Sequence, residues 1–392
     1  MYQFLGQIMF HSIKKYGIAL GGLVLCAGVS NAGELEDLKK RVAMLEDLQI
    51  AMAEKVETTS GSKSAFENTH LGGYGELHYN NLDGENGAGD KDQIDFHRFV
   101  LEIHHNFSED ITLHTELELE HSLSGSGKPG EVELEQAYVD VKLNEDHFAK
   151  VGLFLLPVGF LNESHEPETF YGVERNPVEK NILPTTWWEA GFGFSGRLAD
   201  QLRYDVAFHS GLETGGASSY KIRSGRQKVA SATAKDFAYT GRLTWMPLEG
   251  LKSSLVLQYQ SDVTQSGNTA AGSGTLINLN LEYAYKDLTL RGLYGTWDLD
   301  GTAPESIGAD EQTGFYVEAS YKVRENLGVF ARMNQYDNTA GSNGGTSEKE
   351  QIDLGLNYWL HPNVVLKADV QLQNNENSSD QNGYNLGFGY SF

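Results

Sequence analysis

The chain has 392 residues, with 30 Lys or Arg against 54 Asp or Glu and a formal net charge of −24. That balance argues against nucleic acid as a partner and against a sticky cationic surface. Glycine is abundant (44) and proline scarce (8), which together with frequent Tyr and Phe suits many hairpins better than helices.

Lys14 and Lys15 precede the apolar run YGIALGGLVLCAGVS, and Ser30-Asn31-Ala32 offers small residues where a signal peptidase reads. Residues 1–32 therefore read as a secretory leader, too short to span a bilayer as a mature helix. The single cysteine, Cys26, lies inside it and follows Leu25, not the small residue a lipid-anchor signal wants. Cleavage would leave no disulfide. Residues 34–57 place Leu35, Leu38, Val42, Leu45, Met52 and Val56 at heptad a and d positions, with Gln49 polar at one a. The expectation is a short coiled-coil helix over 33–57 in an oligomer; the plainer alternative is a lone amphipathic helix on a surface. TTSGSKSAFENT (58–69) reads as a linker.

From His70 the pattern turns to period-two alternation. Sixteen strands are predicted, near 70–81, 93–107, 111–122, 132–143, 147–156, 187–198, 201–211, 236–246, 251–261, 275–286, 288–298, 313–323, 327–337, 350–360, 364–374 and 383–392. Short turns such as Ser108-Glu109-Asp110 alternate with long polar loops such as NLDGENGAGDKD. No run reaches the roughly 20 apolar residues of a membrane helix. An even set of strands with turns at one end and loops at the other is the pattern of a 16-stranded antiparallel transmembrane β-barrel, filling 70–392. A propeller would show a repeated blade motif, and none is seen. Trp187, Trp188, Trp245, Tyr259, Tyr283, Tyr285 and Tyr358 crowd strand ends, as interfacial girdles do. The final YNLGFGYSF carries aromatics on one face and resembles a barrel-assembly signal.

Alternation then assigns the faces. In ITLHTELELEHS (111–122), Ile111, Leu113, Leu117 and Leu119 face lipid or a neighbouring subunit, and His114, Glu116, Glu118 and Glu120 face a wet lumen. Matching faces across the 108–110 turn sets His104 opposite His114, Glu102 opposite Glu116 and Arg98 opposite Glu120. Two His and two carboxylates there could hold a divalent cation; a hydrated wall screened by water and ions is the preferred reading, with no metal and no cofactor. Arg203, Asp205, Arg242, Glu282, Arg291, Glu318 and Arg332 join the expected pore lining, with Lys322, Asp353, Lys367 and Asp369 on the same faces. The third long loop, 157–186, carries Glu163, Glu166, Glu168, Glu174, Arg175, Glu179 and Lys180. Its apolar Phe160, Leu161, Phe170, Tyr171, Val173 and Ile182 suit a loop packed onto the inner wall as a constriction; packing at a subunit interface is the alternative.

GLFLLPVGF followed by FYGVERNPVEKNILPTTWWEAGFGFSG resembles the phosphate-selective porin O and P family, and the likeness runs from about residue 70 to Phe392. It implies a homotrimer in the bacterial outer membrane that passes small solutes, often anions, by passive diffusion; the N-terminal helix is expected in the periplasm. The arginine ladder of the best-known members is missing here. One basic cluster, Lys221, Arg223, Arg226 and Lys228, falls in the fourth long loop, placed to gather anions or bridge lipopolysaccharide phosphates. With so many lumen carboxylates, the expected ion preference is weakly anionic or even cationic. No hydrolytic constellation is evident; a barrel enzyme and a closed anchor between outer membrane and cell wall are the rival readings.

Overall fold

A computed structural model describes residues 67–267 and 270–392. The expected leader (1–32), coiled-coil helix (33–57) and residues 58–66 of the linker lie outside the described residues. The strands are β1 (Thr69–Gly84), β2 (Lys91–Asn106), β3 (Ile111–Glu120), β4 (Val132–Lys142), β5 (His147–Leu155), β6 (Trp188–Ala199), β7 (Leu202–His209) and β8 (Ala238–Leu248). They continue as β9 (Leu251–Gln260), β10 (Gly274–Tyr285), β11 (Leu288–Leu299), β12 (Glu311–Arg324), β13 (Leu327–Asp337), β14 (Lys349–His361), β15 (Val364–Gln373) and β16 (Gln381–Ser391). Each pairs antiparallel with its sequence neighbours, and β16 pairs with β1 to close a sixteen-stranded barrel. Among the described residues no helix is long and apolar enough to cross a membrane.

Alternation drives this architecture. On β10, Ile277, Leu279 and Leu281 point outward and are exposed, whereas Leu276, Asn278 and Asn280 point inward and are buried. On β14, Ile352, Leu354, Leu356 and Tyr358 form the outer set, while Asp353 and Asn357 are buried inside. Closure leaves no unpaired edge, so every backbone group in the wall can be satisfied between strands. Across the 108–110 turn the register pairs His104 with His114, Glu102 with Glu116 and Arg98 with Glu120, as face matching expects.

The aromatic expectation divides. Trp245, Tyr259, Tyr283, Tyr285 and Tyr358 are exposed on the outer surface. Trp187 and Trp188 are not girdle residues: they are buried, and the Trp187 ring packs 6.1 Å from that of Trp297, itself fully buried. The reason is the loop that precedes them, which turns into the barrel and takes its own hydrophobic core along. Val158, Val178, Ile182, Leu183, Trp187, Leu293, Trp297 and Tyr316 belong to one buried cluster inside the wall.

Candidate functional site

The third long loop, 156–187, is positioned by its own ends first. Asn162 Nδ2 donates to the carbonyls of Leu156 (2.7 Å) and Trp187 (2.9 Å), and its Oδ1 accepts from the Trp187 amide at 2.6 Å. A second hub is Glu179, within a one-turn helix, α1 (Val178–Asn181). Its fully buried carboxylate accepts from the Phe160 and Leu161 amides (2.6 and 2.8 Å), Asn176 Nδ2 (2.9 Å) and Tyr316 Oη (3.0 Å). A buried charge is tolerated when several donors surround it. Glu179 is therefore a brace of the loop and is withdrawn from any solute path.

From these hubs the loop reaches two opposite arcs of wall. On β1–β4, Arg98 Nη2 donates to the His165 carbonyl at 2.7 Å, and Asn80 Nδ2 donates to Glu174 at 2.9 Å. On β10–β15, Asn278 Oδ1 accepts from the Gly159 amide (3.0 Å) and Trp297 Nε1 donates to the Ile182 carbonyl (2.9 Å). Arg332 donates to the Tyr171 carbonyl (3.1 Å), Asn357 to that of Phe170 (2.9 Å) and Lys367 to that of Gly172 (3.0 Å). Asp369 accepts from the Val173 amide at 2.6 Å. A segment held from both arcs crosses the interior. Inward glycines make room for it: a Cβ on Gly389 would strike the Pro167 ring, and one on Gly314 would sit 3.0 Å from Ile182.

This loop changes the meaning of the wall charges. Arg98 does not engage Glu120; its Nε donates to Glu76 at 2.6 Å, and the side chain is buried beneath the loop. Glu116 accepts from Tyr74 Oη (2.9 Å) and Gln136 (2.6 Å) and is buried. Arg332, flanked by Glu318 (3.2 Å) and Asp353 (3.0 Å), is likewise covered. Lys367 lies over the Phe170 ring at 3.5 Å rather than beside Asp369. The freely hydrated wall of the sequence reading is thus replaced, on these strands, by a socket. Other assigned residues stay wetter. His104 and His114 share an Nδ1···Nδ1 hydrogen bond of 2.8 Å, with Glu102 3.7 Å from His104. Arg291 pairs with Glu282 at 2.6 Å, and Arg242 bridges Asp205 (2.8 Å) and Glu163.

One cavity borders the loop and a second lies apart from it. A 380 Å³ cavity toward the long-loop end is lined by Glu76, Glu118, Glu120, Glu133 and Glu174 and by Lys91, Arg175, Lys180, Arg223, Arg226 and Lys228. A 510 Å³ cavity toward the short turns holds Arg203, Asp205 and Arg242. The fourth long loop, 210–237, supplies part of the first. Arg223 Nη1 donates to the Lys180 and Thr185 carbonyls at 3.0 Å each, and Arg226 donates to that of Thr186. Burial, then the neighbouring Arg226 and Arg175 guanidiniums, pushes the Arg223 pKa down to about 9, still a cation at neutral pH. Lys228 closes the loop against β4 through Glu131 (2.7 Å) and Glu133.

A family model described as Gram-negative porin matches residues 49–380. The chain belongs to the Gram-negative porin family. It is similar to an uncharacterized protein of Aquifex aeolicus (strain VF5), 30% identical over 385 residues, covering 88% of this chain and 86% of that protein. Among solved structures, the anion-selective porin from Comamonas acidovorans superposes with a TM-score of 0.61 at 13% identity, over 83% of this chain and 99% of that one. OprB of Pseudomonas putida gives 0.56 at 12%, over 85% and 97%. Likeness at such identities speaks to the fold alone, a closed antiparallel β-barrel.

Several residues that build this porin's interior escape a period-two reading. The β4 register shifts between Glu116 and Leu117, which leaves Glu135 unpaired in a bulge and brings the next residue, Gln136, to the inner face beside it, where it donates to Glu116. A second shift, between Glu76 and Leu77, frees His97 of β2, whose ring stacks on His78 at 4.6 Å. His78 itself sits 3.2 Å from both Glu76 and Glu174. The four donors of the Glu102, His104, His114 and Glu116 grouping do not converge. Among the described residues, convergent donor sets are instead Glu116/Glu135/His165, Asp95/His97/His121 and Glu120/Glu131/Glu133.

Proposed function

We propose that this porin passes small hydrophilic solutes passively and without catalysis, with a weak preference for small anions, phosphate-like oxyanions included. The observation that carries the reading is the 380 Å³ cavity between loops 156–187 and 210–237, where six basic residues face five acidic ones in a chain that is acidic overall. Arg223 and Arg226 bind backbone carbonyls there, not carboxylates. A carbonyl carries no net charge, so the guanidiniums keep an attraction for anions. Opposite charges across a narrow water-filled gap also orient dipolar solutes and disfavour apolar ones. The resemblance to the phosphate-selective porin O and P family points the same way.

The assembly proposed is a homotrimer embedded among outer-membrane lipid and lipopolysaccharide, its N-terminal coiled coil in the periplasm. Planar-bilayer recording tests the account. Insertions should give conductance steps in threes, and reversal potentials in a KCl gradient should carry the anion-favouring sign. Arg223→Gln with Arg226→Gln should reduce or invert that sign. Absence of steps from folded protein would return the choice to a barrel enzyme or a closed anchor.

A further inference from the structure

One group of side chains inside the barrel is left unexplained by solute passage. His165, on loop 156–187 and 3% exposed, points its Nε2 between Glu116 of β3 and Glu135 of β4, at 3.6 and 3.7 Å. These separations are too long for hydrogen bonds, and both His165 Nε2 and Glu135 Oε2 are buried with no hydrogen-bond partner. The other ring nitrogen settles the tautomer. His165 Nδ1 lies 3.1 Å from the Asn162 carbonyl, which can only accept, so Nδ1 carries a proton. In the neutral ring the Nε2 lone pair is then aimed at two carboxylates, an arrangement that repels unless a second proton or a metal cation stands between them.

We propose that Glu116, Glu135 and His165 bind a divalent first-row transition cation of the Zn2+ class, fastening loop 156–187 to β3 and β4. Three features fit. Metal-bound histidines commonly donate their second nitrogen to a backbone carbonyl, as His165 does to Asn162. A tetrahedral ion with bonds of about 2.1 Å separates its donors by roughly 3.4 Å, close to the spacing found here. An imidazole with few oxygens suits Zn2+ better than Ca2+, which gathers six to eight oxygens.

Charge balance agrees. Arg98 is paired with Glu76 at 2.6 Å, so it does not neutralise Glu116 and Glu135, the two carboxylates that face His165. Glu118, next but one to Glu116 on β3, lines the 380 Å³ cavity and has its own buried unpartnered oxygen, Oε2. The β4 bulge lets consecutive Glu135 and Gln136 both face this group, Gln136 donating to Glu116 at 2.6 Å. The other two donor sets are already engaged: Asp95 by His121 at 2.7 Å, and Glu131 and Glu133 by Lys228.

The test uses the full-length folded porin and needs no conductance, so it stands or falls separately from the transport reading. Chelator-stripped protein is dialysed against Zn2+, then against metal-free buffer, and its metal content and unfolding temperature are measured. Wild type should retain Zn2+ and unfold at a higher temperature, since an ion bound only by the native state stabilises it. His165→Asn should lose about one ion per chain relative to wild type and lose the thermal shift. Should His165→Asn not fold, Glu135→Gln makes the same comparison. Mg2+ in place of Zn2+ should produce no shift. The proposal is overturned if wild type shows no Zn2+-dependent shift, or if a folded variant retains both the ion and the shift.

Discussion

The Tyr316 hydroxyl donates to Glu179 at 3.0 Å, joining β12 to the loop that crosses the barrel. Tyr316→Phe removes one of the donors around a buried carboxylate. A hydrogen bond to a charged group contributes about 1.5–3 kcal/mol, and the loop should loosen by that order. Glu179→Ala should go further, freeing the Phe160 and Leu161 amides as well. Both variants should keep the barrel's heat-modifiable mobility on gels yet give noisier, larger conductance steps. Unchanged single-channel records for Glu179→Ala would contradict the bracing role.

Gly389 provides a steric test of the same loop. It faces inward on β16, where a side chain would meet Pro167. Gly389→Val must displace the loop or strain the wall, a cost of about 1–3 kcal/mol typical of overpacking. Solute flux into liposomes should change while strand content by circular dichroism does not. Gly292, whose added Cβ meets nothing within 4 Å, is the control.

The outer surface makes its own demand. Leu279 is 48% exposed on the apolar belt, one residue from the buried Asn280. Leu279→Arg should destabilise the folded barrel in bilayers by about 2–4 kcal/mol if it lies near the midplane. Equilibrium urea unfolding in vesicles reads this directly, and a neutral result would mean that this face does not meet hydrocarbon.

Acid should release loop 210–237 only late. The hydrogen bond with the Glu133 carboxyl, then those from Lys228, hold the Glu131 carboxyl down at about 2. A depressed carboxyl contributes its stabilisation above the unfolded value near 4.3 and loses it as pH falls through the folded value. The Glu131–Lys228 contact should therefore persist from pH 7 to about 4.5 and be lost between there and about 2. A spin label at the exposed Ser231 should show that transition, and Lys228→Gln should move it toward the ordinary carboxylate range.

Much of the wall was legible because alternation against hydrocarbon leaves little freedom. A strand with Ile277, Leu279 and Leu281 on one side has only one face it can offer to lipid, and the turn at 108–110 then sets the register of its neighbours. The features that escaped have two physical causes. A bulge inserts one residue and reverses the face of the strand beyond it, so Glu135 and Gln136, like His97 and Arg98, are consecutive residues that both face the interior, against strict alternation. The second cause is distance along the chain. Arg332, Lys367 and Asp369 look like pore-wall charges until residues 171–173 arrive from far upstream and occupy them. Loop 157–186 did announce itself through its misplaced Phe160, Phe170 and Ile182, but not which side chains would receive it.

Closure of the ring has a consequence for how the molecule comes to exist. Gly73 and Phe392 exchange both backbone hydrogen bonds, at 3.1 and 2.9 Å, although they stand near opposite ends of the described chain. Until those two segments meet, two sticky ribbons with unpaired amides and apolar outer flanks stand open at once. The polypeptide is therefore soluble in neither water nor lipid while incomplete, and needs an escort on its way to the membrane.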